Sequence, residues 1–182
     1  MRAIVGVRMS THMKWIVILL FGWFLQGCTT LESKSVKPIP SLIIPEQWHA
    51  QGRVGVSMNE RNQTIGFVIK VKNQDYILTL SASLGLGQAS VKSNAQGLWV
   101  DGKKIESSLK QWMINEFGWY FPIHKLAPIL FQHKQSIDRE WHVNITSYQQ
   151  INEISYPRIV RLNHLTKAIK IKLLIGEVNE LK

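Results

Sequence analysis

The sequence predicts a mainly β fold, an antiparallel meander interrupted by one helical segment and curled into a barrel or half-barrel. Three observations carry that reading. Apolar residues recur with period 2 over most of residues 48–175, the spacing that lines one face of a strand. Short turn sequences such as Asn73-Gln74-Asp75 and Asp101-Gly102 separate the runs, and turns that short join antiparallel neighbours. Between about 107 and 131 the spacing becomes helical, and period 2 returns at Trp141. So many strands in a chain of this size do not stay flat, which is why strong curling is expected.

The first element lies outside that fold. Arg2, Arg8 and Lys14 accompany an apolar run, Trp15 to Leu25, of 11 residues. As helix it would span about 16 Å, half of a ~30 Å hydrocarbon core, so it fits the apolar region of a signal peptide over residues 1–27. Met1, Met9 and Met13 are alternative starts. Leu25-Gln26-Gly27-Cys28 resembles the bacterial lipobox, with Gln26 in place of the usual small or aliphatic residue. That resemblance implies that the Cys28 thiol takes a diacylglyceryl group, that cleavage frees its amine, and that the amine is acylated. Two or more acyl chains make a stable tether. Cys28 is the only cysteine, which rules out an internal disulfide framework and a Cys-based metal site. Thr29 stands where an Asp would resemble an inner-membrane retention signal, so the outer membrane, with the domain facing the periplasm, is the expected location. Residues 28–46, polar and holding Pro38, Pro40 and Pro45, read as the lipidated N-terminus and a linker. Residues 47–182 then form one domain, enough for a single sizeable core.

Trp48, Ala50, Gly52, Val54, Val56 and Met58 share one parity and make the first strand. After a turn at 59–63, Ile65, Phe67, Ile69 and Val71 form the second, and Tyr76, Leu78 and Leu80 the third. Two short strands follow at 87–93 and 98–100, the latter leading into a hairpin at Asp101-Gly102. Leu109, Trp112, Met113, Glu116 and Phe117 keep helical spacing. Ser108 with Gln111 makes a capping box, and Gly118 sits where the helix stops. A second apolar segment, Leu126 to Phe131, is held to one or two turns by Pro128 unless that proline lies in the first turn. Strands resume with Trp141, Val143 and Ile145, then 154–162, where Pro157 marks an edge. Ile169, Ile171, Leu173 and Ile175 close the domain. If the sheet stays open, Trp112, Met113 and Phe117 cover its apolar concavity as a lid. Periodicity alone does not distinguish a cavity from a filled core, and a filled core is the commoner outcome.

Lys and Arg outnumber Asp and Glu by 22 to 12, a net charge of +10. The signal holds three of the cations and no carboxylate, so the mature part keeps +10 − 3 = +7. Such an excess attracts an acidic partner or anionic lipid headgroups. The lysines are spread along strands and form no basic run, which weighs against nucleic acid. The six histidines show no metal spacing, Gly85-Leu86-Gly87 lacks the rest of a phosphate-binding loop, and no nucleophile elbow or Walker sequence occurs. Binding is therefore favoured over catalysis; no metal and no cofactor beyond the lipid on Cys28 is expected. No long apolar helix face is evident, and a monomer is expected.

Taken in order, the residues resemble the LolB family of outer-membrane lipoprotein receptors over roughly 48–178. The resemblance rests on the lipobox cysteine, Trp48-x-x-x-Gly52-x-x-Gly55, Phe67, and Tyr76-x-Leu78-x-Leu80 leading to Leu84-Gly85. It continues through Gly118-Trp119-x-x-Pro122-Ile123-x-x-Leu126, Trp141-x-Val143, Pro157 and the strand Ile169 to Leu173. Ile129 and Gln132 stand where the family has Trp and Gly, and Val68-Ile69 lacks its second-strand Trp. What the resemblance implies is an open, unclosed antiparallel β-barrel with a helical lid that holds acyl chains. It implies receipt of mature lipoproteins from a LolA-type periplasmic carrier and their release into outer-membrane phospholipid. Phe67, Ile69, Leu78, Leu80, Trp112, Met113, Phe117, Trp119, Ile123 and Leu126 would line the lipid cavity and lid. Leu84, Gly85 and Leu86 would form the loop that delivers lipid to the membrane. Another lipid- or glycolipid-binding envelope lipoprotein of this type, or a tethered shell with a filled interior, remains the alternative.

Overall fold

A computed structural model describes residues 40–41, 43–82 and 87–181. Nine strands form one antiparallel sheet: β1 (Gln47–Met58), β2 (Arg61–Lys72), β3 (Asp75–Ala82), β4 (Gln88–Asn94), β5 (Gly97–Val100), β6 (Lys103–Ile105), β7 (Trp141–Ile151), β8 (Ile154–His164) and β9 (Ile169–Glu180). Two short helices, α1 (Leu109–Phe117) and α2 (Leu126–Gln132), lie between β6 and β7, with a 3₁₀ turn at Ile123–Lys125.

The strand order is β6-β5-β4-β3-β2-β1-β9-β8-β7. Sequence neighbours pair except β6 with β7, and β1 also pairs with β9, which joins the first and last of the described strands in the interior of the sheet. The sheet edges are then β6 and β7, the two strands on either side of the helical segment. No ladder joins β6 to β7, so the barrel is open, and the chain between those two strands carries the helices.

Turn chemistry sets the register. Asn59-Glu60, Asp101-Gly102 and Asn152-Glu153 each place two successive residues at positive φ between directly paired strand ends. That backbone matches the right-handed twist of the flanking strands. The expected turn at 59–63 is thus shortened to two residues, and β2 begins at Arg61. Ser108 caps α1 by accepting from the Gln111 N–H, and Gly118 ends it at φ 78. The reciprocal half of the capping box is not made, because the Gln111 amide donates to Asn115. Pro128 falls in the first turn of α2, where a missing N–H costs nothing.

One expectation is corrected. Pro157 does not mark an edge strand, since β8 lies between β7 and β9. The β8–β9 ladder runs only from Ile159–Leu174 to Asn163–Lys170, so Pro157 lies beyond it, with bulges opposite on β7 around Ser147. The proline removes an N–H where no ladder partner was needed.

The concave face of the sheet and the helices share one core. Trp48, Ala50, Val54, Ile69, Leu78, Val91, Val143, Val160, Leu162 and Ile171 are buried on the sheet side, and Met113, Leu126, Ile129, Leu130 and Phe131 on the helical side. Phe131 packs edge-on against Trp48 of β1 and Tyr156 of β8, fixing α2 across the sheet.

Candidate functional site

Beneath the helical segment lies a small hollow whose lining is wholly apolar. Val54, Phe67, Leu78, Leu80 and Leu173 rise from β1, β2, β3 and β9; Met113, Trp119, Phe121, Ile123 and Leu126 close it from α1 and the residues after it. Period 2 brings the strand residues to this face, and the return of the chain at Gly118 turns Trp119 and Phe121 inward. The Trp119 indole N–H reaches out to the Gln63 side chain at 3.4 Å, so only its carbon face meets the hollow.

The space is small. About 20 Å³ is open to the centre of a water-sized sphere, whereas a cavity that takes benzene measures about 150 Å³. The hollow as it stands is too small for an acyl chain.

Seven of the residues expected at the cavity line it: Phe67, Leu78, Leu80, Met113, Trp119, Ile123 and Leu126. Three lie elsewhere. Ile69 is fully buried in the core and does not border the hollow. Trp112 and Phe117 line a second, open groove of about 360 Å³ with Ile65, Leu80, Ala82, Gly87 and Val100. Met113 borders the hollow while Trp112 and Phe117 of the same helix border the groove, a division that depends on how α1 is seated on the sheet. Val54, Phe121 and Leu173 border the hollow without having been singled out; the parity of Val54 and Leu173 on their strands was the available signal. Cys28, Leu84, Gly85 and Leu86 lie outside the described residues.

The two spaces are connected by aromatic rings. Trp112 meets Phe117 edge-on at 5.6 Å, and Phe117 meets Trp119 at 5.7 Å. Leu80 borders both spaces. The outer groove also includes Ala82 and Gly87, the residues that flank positions 83–86.

The two helices are held differently. Leu126, Ile129, Leu130 and Phe131 are all buried in α2, so Ile129 serves as a core residue at the position where the resemblance pointed to Trp. In α1 only Met113 is buried. Nine residues are too few for a helix to be stable on its own, and α1 has no acidic residue in its first turn and no basic one in its last. Half-buried Leu109, Trp112, Ile114 and Phe117 pack it against the core, and a polar latch adds to them. Lys110 binds Glu140, just before β7, at 3.1 Å, and stands 4.4 Å above the Tyr120 ring. The Tyr120 hydroxyl donates to the same carboxylate. Tyr120 and Lys110 together hold the Glu140 carboxyl below its ordinary pKa. At the end of α2, the His133 imidazole lies 2.7 Å from the Ser155 carbonyl, and burial lowers its pKa.

Among the described residues no three His, Cys, Asp or Glu side chains gather as a metal site, and no helix is long and apolar enough to cross a membrane.

Comparison with known proteins adds three findings. The profile of the family described as outer membrane lipoprotein LolB matches residues 46–177. The outer-membrane lipoprotein LolB of Coxiella burnetii (strain RSA 493 / Nine Mile phase I) is 22% identical, covering 86% of this chain and 89% of that protein. A LolA superfamily protein from Nitrosomonas europaea shares the fold at a TM-score of 0.51 with 10% identity, over 77% of this chain and 88% of its own. The match runs from the residue before β1 into β9 and spans the open sheet, the lid and the apolar hollow. The chain belongs to the LolB family of outer membrane lipoproteins.

Proposed function

We propose that the protein is an outer-membrane-anchored receptor. It accepts mature lipoproteins from a LolA-type periplasmic carrier, shields their acyl chains beneath the helical lid, and inserts them into the inner leaflet of the outer membrane. The observation that carries this reading is the hollow with no polar atom in its lining, covered by a helix that buries a single residue. A lining of that kind is suited to hydrocarbon, since burying each methylene is worth about 0.8 kcal/mol and an exposed tail does not cross water at a useful rate. Hand-over needs no ATP if the receptor holds the tail better than the carrier. Tenfold preference corresponds to about 1.4 kcal/mol, within reach of a modest difference in cavity fit.

The aromatic line from Trp112 through Phe117 to Trp119 leads from the outer groove, whose rim also carries Gln88, Asp101 and Glu116, to the hollow. Acyl chains on Cys28 tether the domain, and Leu84, with Gly85 and Leu86, passes the cargo to phospholipid. The family membership and the proximity of Ala82 and Gly87 to the groove support this arrangement.

A two-stage reconstitution tests it. Radiolabelled lipoprotein on its carrier should move to this protein, then to liposomes. Exchanging Leu84→Glu should leave the first transfer intact and stop the second. Failure of the unaltered protein to take cargo from the carrier sinks the receptor reading; normal insertion by the Leu84→Glu variant sinks only the role of the loop.

A further inference from the structure

Five adjacent strands each place one outward-facing residue in a single row across the convex side of the sheet. Lys70 of β2 stands opposite Ile77 of β3, Ile77 opposite Lys92 of β4, Lys92 opposite Trp99 of β5, and Trp99 opposite Lys104 of β6. Strands lie about 4.8 Å apart, so an ammonium group comes at roughly 10 Å intervals with an apolar side chain in each gap.

The three lysines are exposed. Ile77 is 44% exposed, one of few large aliphatic residues so placed. Trp99 is half-buried yet does not pack on the core; the Lys104 stem and its indole both approach Gly97, lying 3.1 and 3.9 Å from where a β-carbon there would stand. Two carboxylates lie near the row, and Asp75 borders the same patch as Lys70, Ile77 and Lys92. Asp75 faces Lys72 across the β2–β3 ladder, and Asp101 accepts the Ser90 N–H at 2.8 Å.

We infer that this row, Lys70-Ile77-Lys92-Trp99-Lys104, is a docking surface for the anionic headgroup zone of a bilayer. Its composition selects that occupant. Lysine is depleted from the cores of protein–protein interfaces, where arginine is preferred. At a bilayer surface, lysine stems lie along apolar groups while their ammonium ends meet phosphate, and tryptophan settles at headgroup depth. The inference deepens the reading of a membrane-tethered receptor and rests on it for biological sense, although the binding itself is independent of the tether.

Amine labelling of the full-length, acylated protein tests it. The protein is mixed with neutral phosphatidylcholine vesicles or with vesicles containing phosphatidylglycerol, pulse-labelled, and read by mass spectrometry. Labelling of Lys70, Lys92 and Lys104 should fall about fivefold or more on the anionic vesicles, the factor that about 1 kcal/mol per lysine represents. Lys170 and Lys172, on the same face but outside the row, should stay reactive, and about 0.5 M salt should restore labelling. Equal labelling on both vesicle types, or equal protection of Lys170 and Lys172, overturns the inference. Protection by polyglutamate but not by anionic vesicles assigns the row to an acidic protein and overturns it too. Flotation with neutral vesicles reads the tether separately. A chain that does not float there yet is protected on anionic vesicles keeps the row and loses the tether, and the reverse pattern loses the row alone.

Discussion

A methyl group placed on Gly52 would lie 2.1 Å from the Leu174 carbonyl oxygen, whereas one on Gly55 would meet the Lys172 oxygen at 3.8 Å. The first contact is with backbone and cannot be relieved by a rotamer change. Gly52 sits at the register shift where β1 and β9 lose step, so the two central strands approach too closely for a side chain. Gly52→Ala is expected to cost about 2–4 kcal/mol by forcing them apart, and Gly55→Ala to fall within about 0.5 kcal/mol. Urea-unfolding midpoints of the two variants check this, and equal midpoints would remove the steric account. The spacing Trp48-x-x-x-Gly52-x-x-Gly55 was readable, but the different duties of its glycines were not. The bulge depends on what β9 presents from more than a hundred residues away. Ser108 is the opposite case: its cap involves only Gln111, three residues on, and local sequence sufficed.

At the level of elements, α1 and α2 look alike in sequence and differ in how they are fixed. Four buried residues hold α2, while α1 has one, Met113, with half-buried Leu109, Trp112, Ile114 and Phe117 and the group formed by Lys110, Tyr120 and Glu140. An exposed pair of this kind contributes little, so Glu140→Gln should leave the melting temperature nearly unchanged. It should speed uptake of a fluorescent fatty acid about two- to fivefold, as stopped-flow mixing would read; an unaltered rate would show that the latch does not restrain α1. Acid should act in the same direction. The folded-state pKa of Glu140 is depressed, so its contribution is complete above the unfolded-state value and disappears as pH falls through the folded one. Strand elements were legible wherever one face is buried, because period 2 is then imposed on the sequence. Pro157 misled because its backbone lacks a partner on only one side of an interior strand, a condition set by where β9 turns away. Trp112 and Phe117 were correctly seen as belonging to the helix, yet a rotation of that helix decides which space each of them borders. Packing against the sheet sets that rotation.

Over the whole chain, cations exceed carboxylates by ten, and among the described residues one Lys–Glu pair comes within 4.0 Å. Arg161 and Lys172 even stand directly opposite one another on β8 and β9, an arrangement that costs stability and that a purely structural face would avoid. If the carrier presents an acidic rim, its association with this protein should weaken at least about tenfold between roughly 50 and 500 mM salt. A titration with no salt response would remove the electrostatic account of docking. Fold class followed from patterning alone. The size of the hollow did not, because it depends on how Met113, Trp119 and Phe121 settle against the sheet, and no spacing rule records that.

The ladder between β1 and β9 has a consequence for how the molecule comes into being. Of the described strands β9 comes last in the sequence yet lies inside the sheet, flanked by β1 and by β8, so the two halves cannot be joined until it is in place. Contacts of such long sequence separation form slowly. The seam in the interior of the sheet, rather than an edge, is therefore the part that closes late.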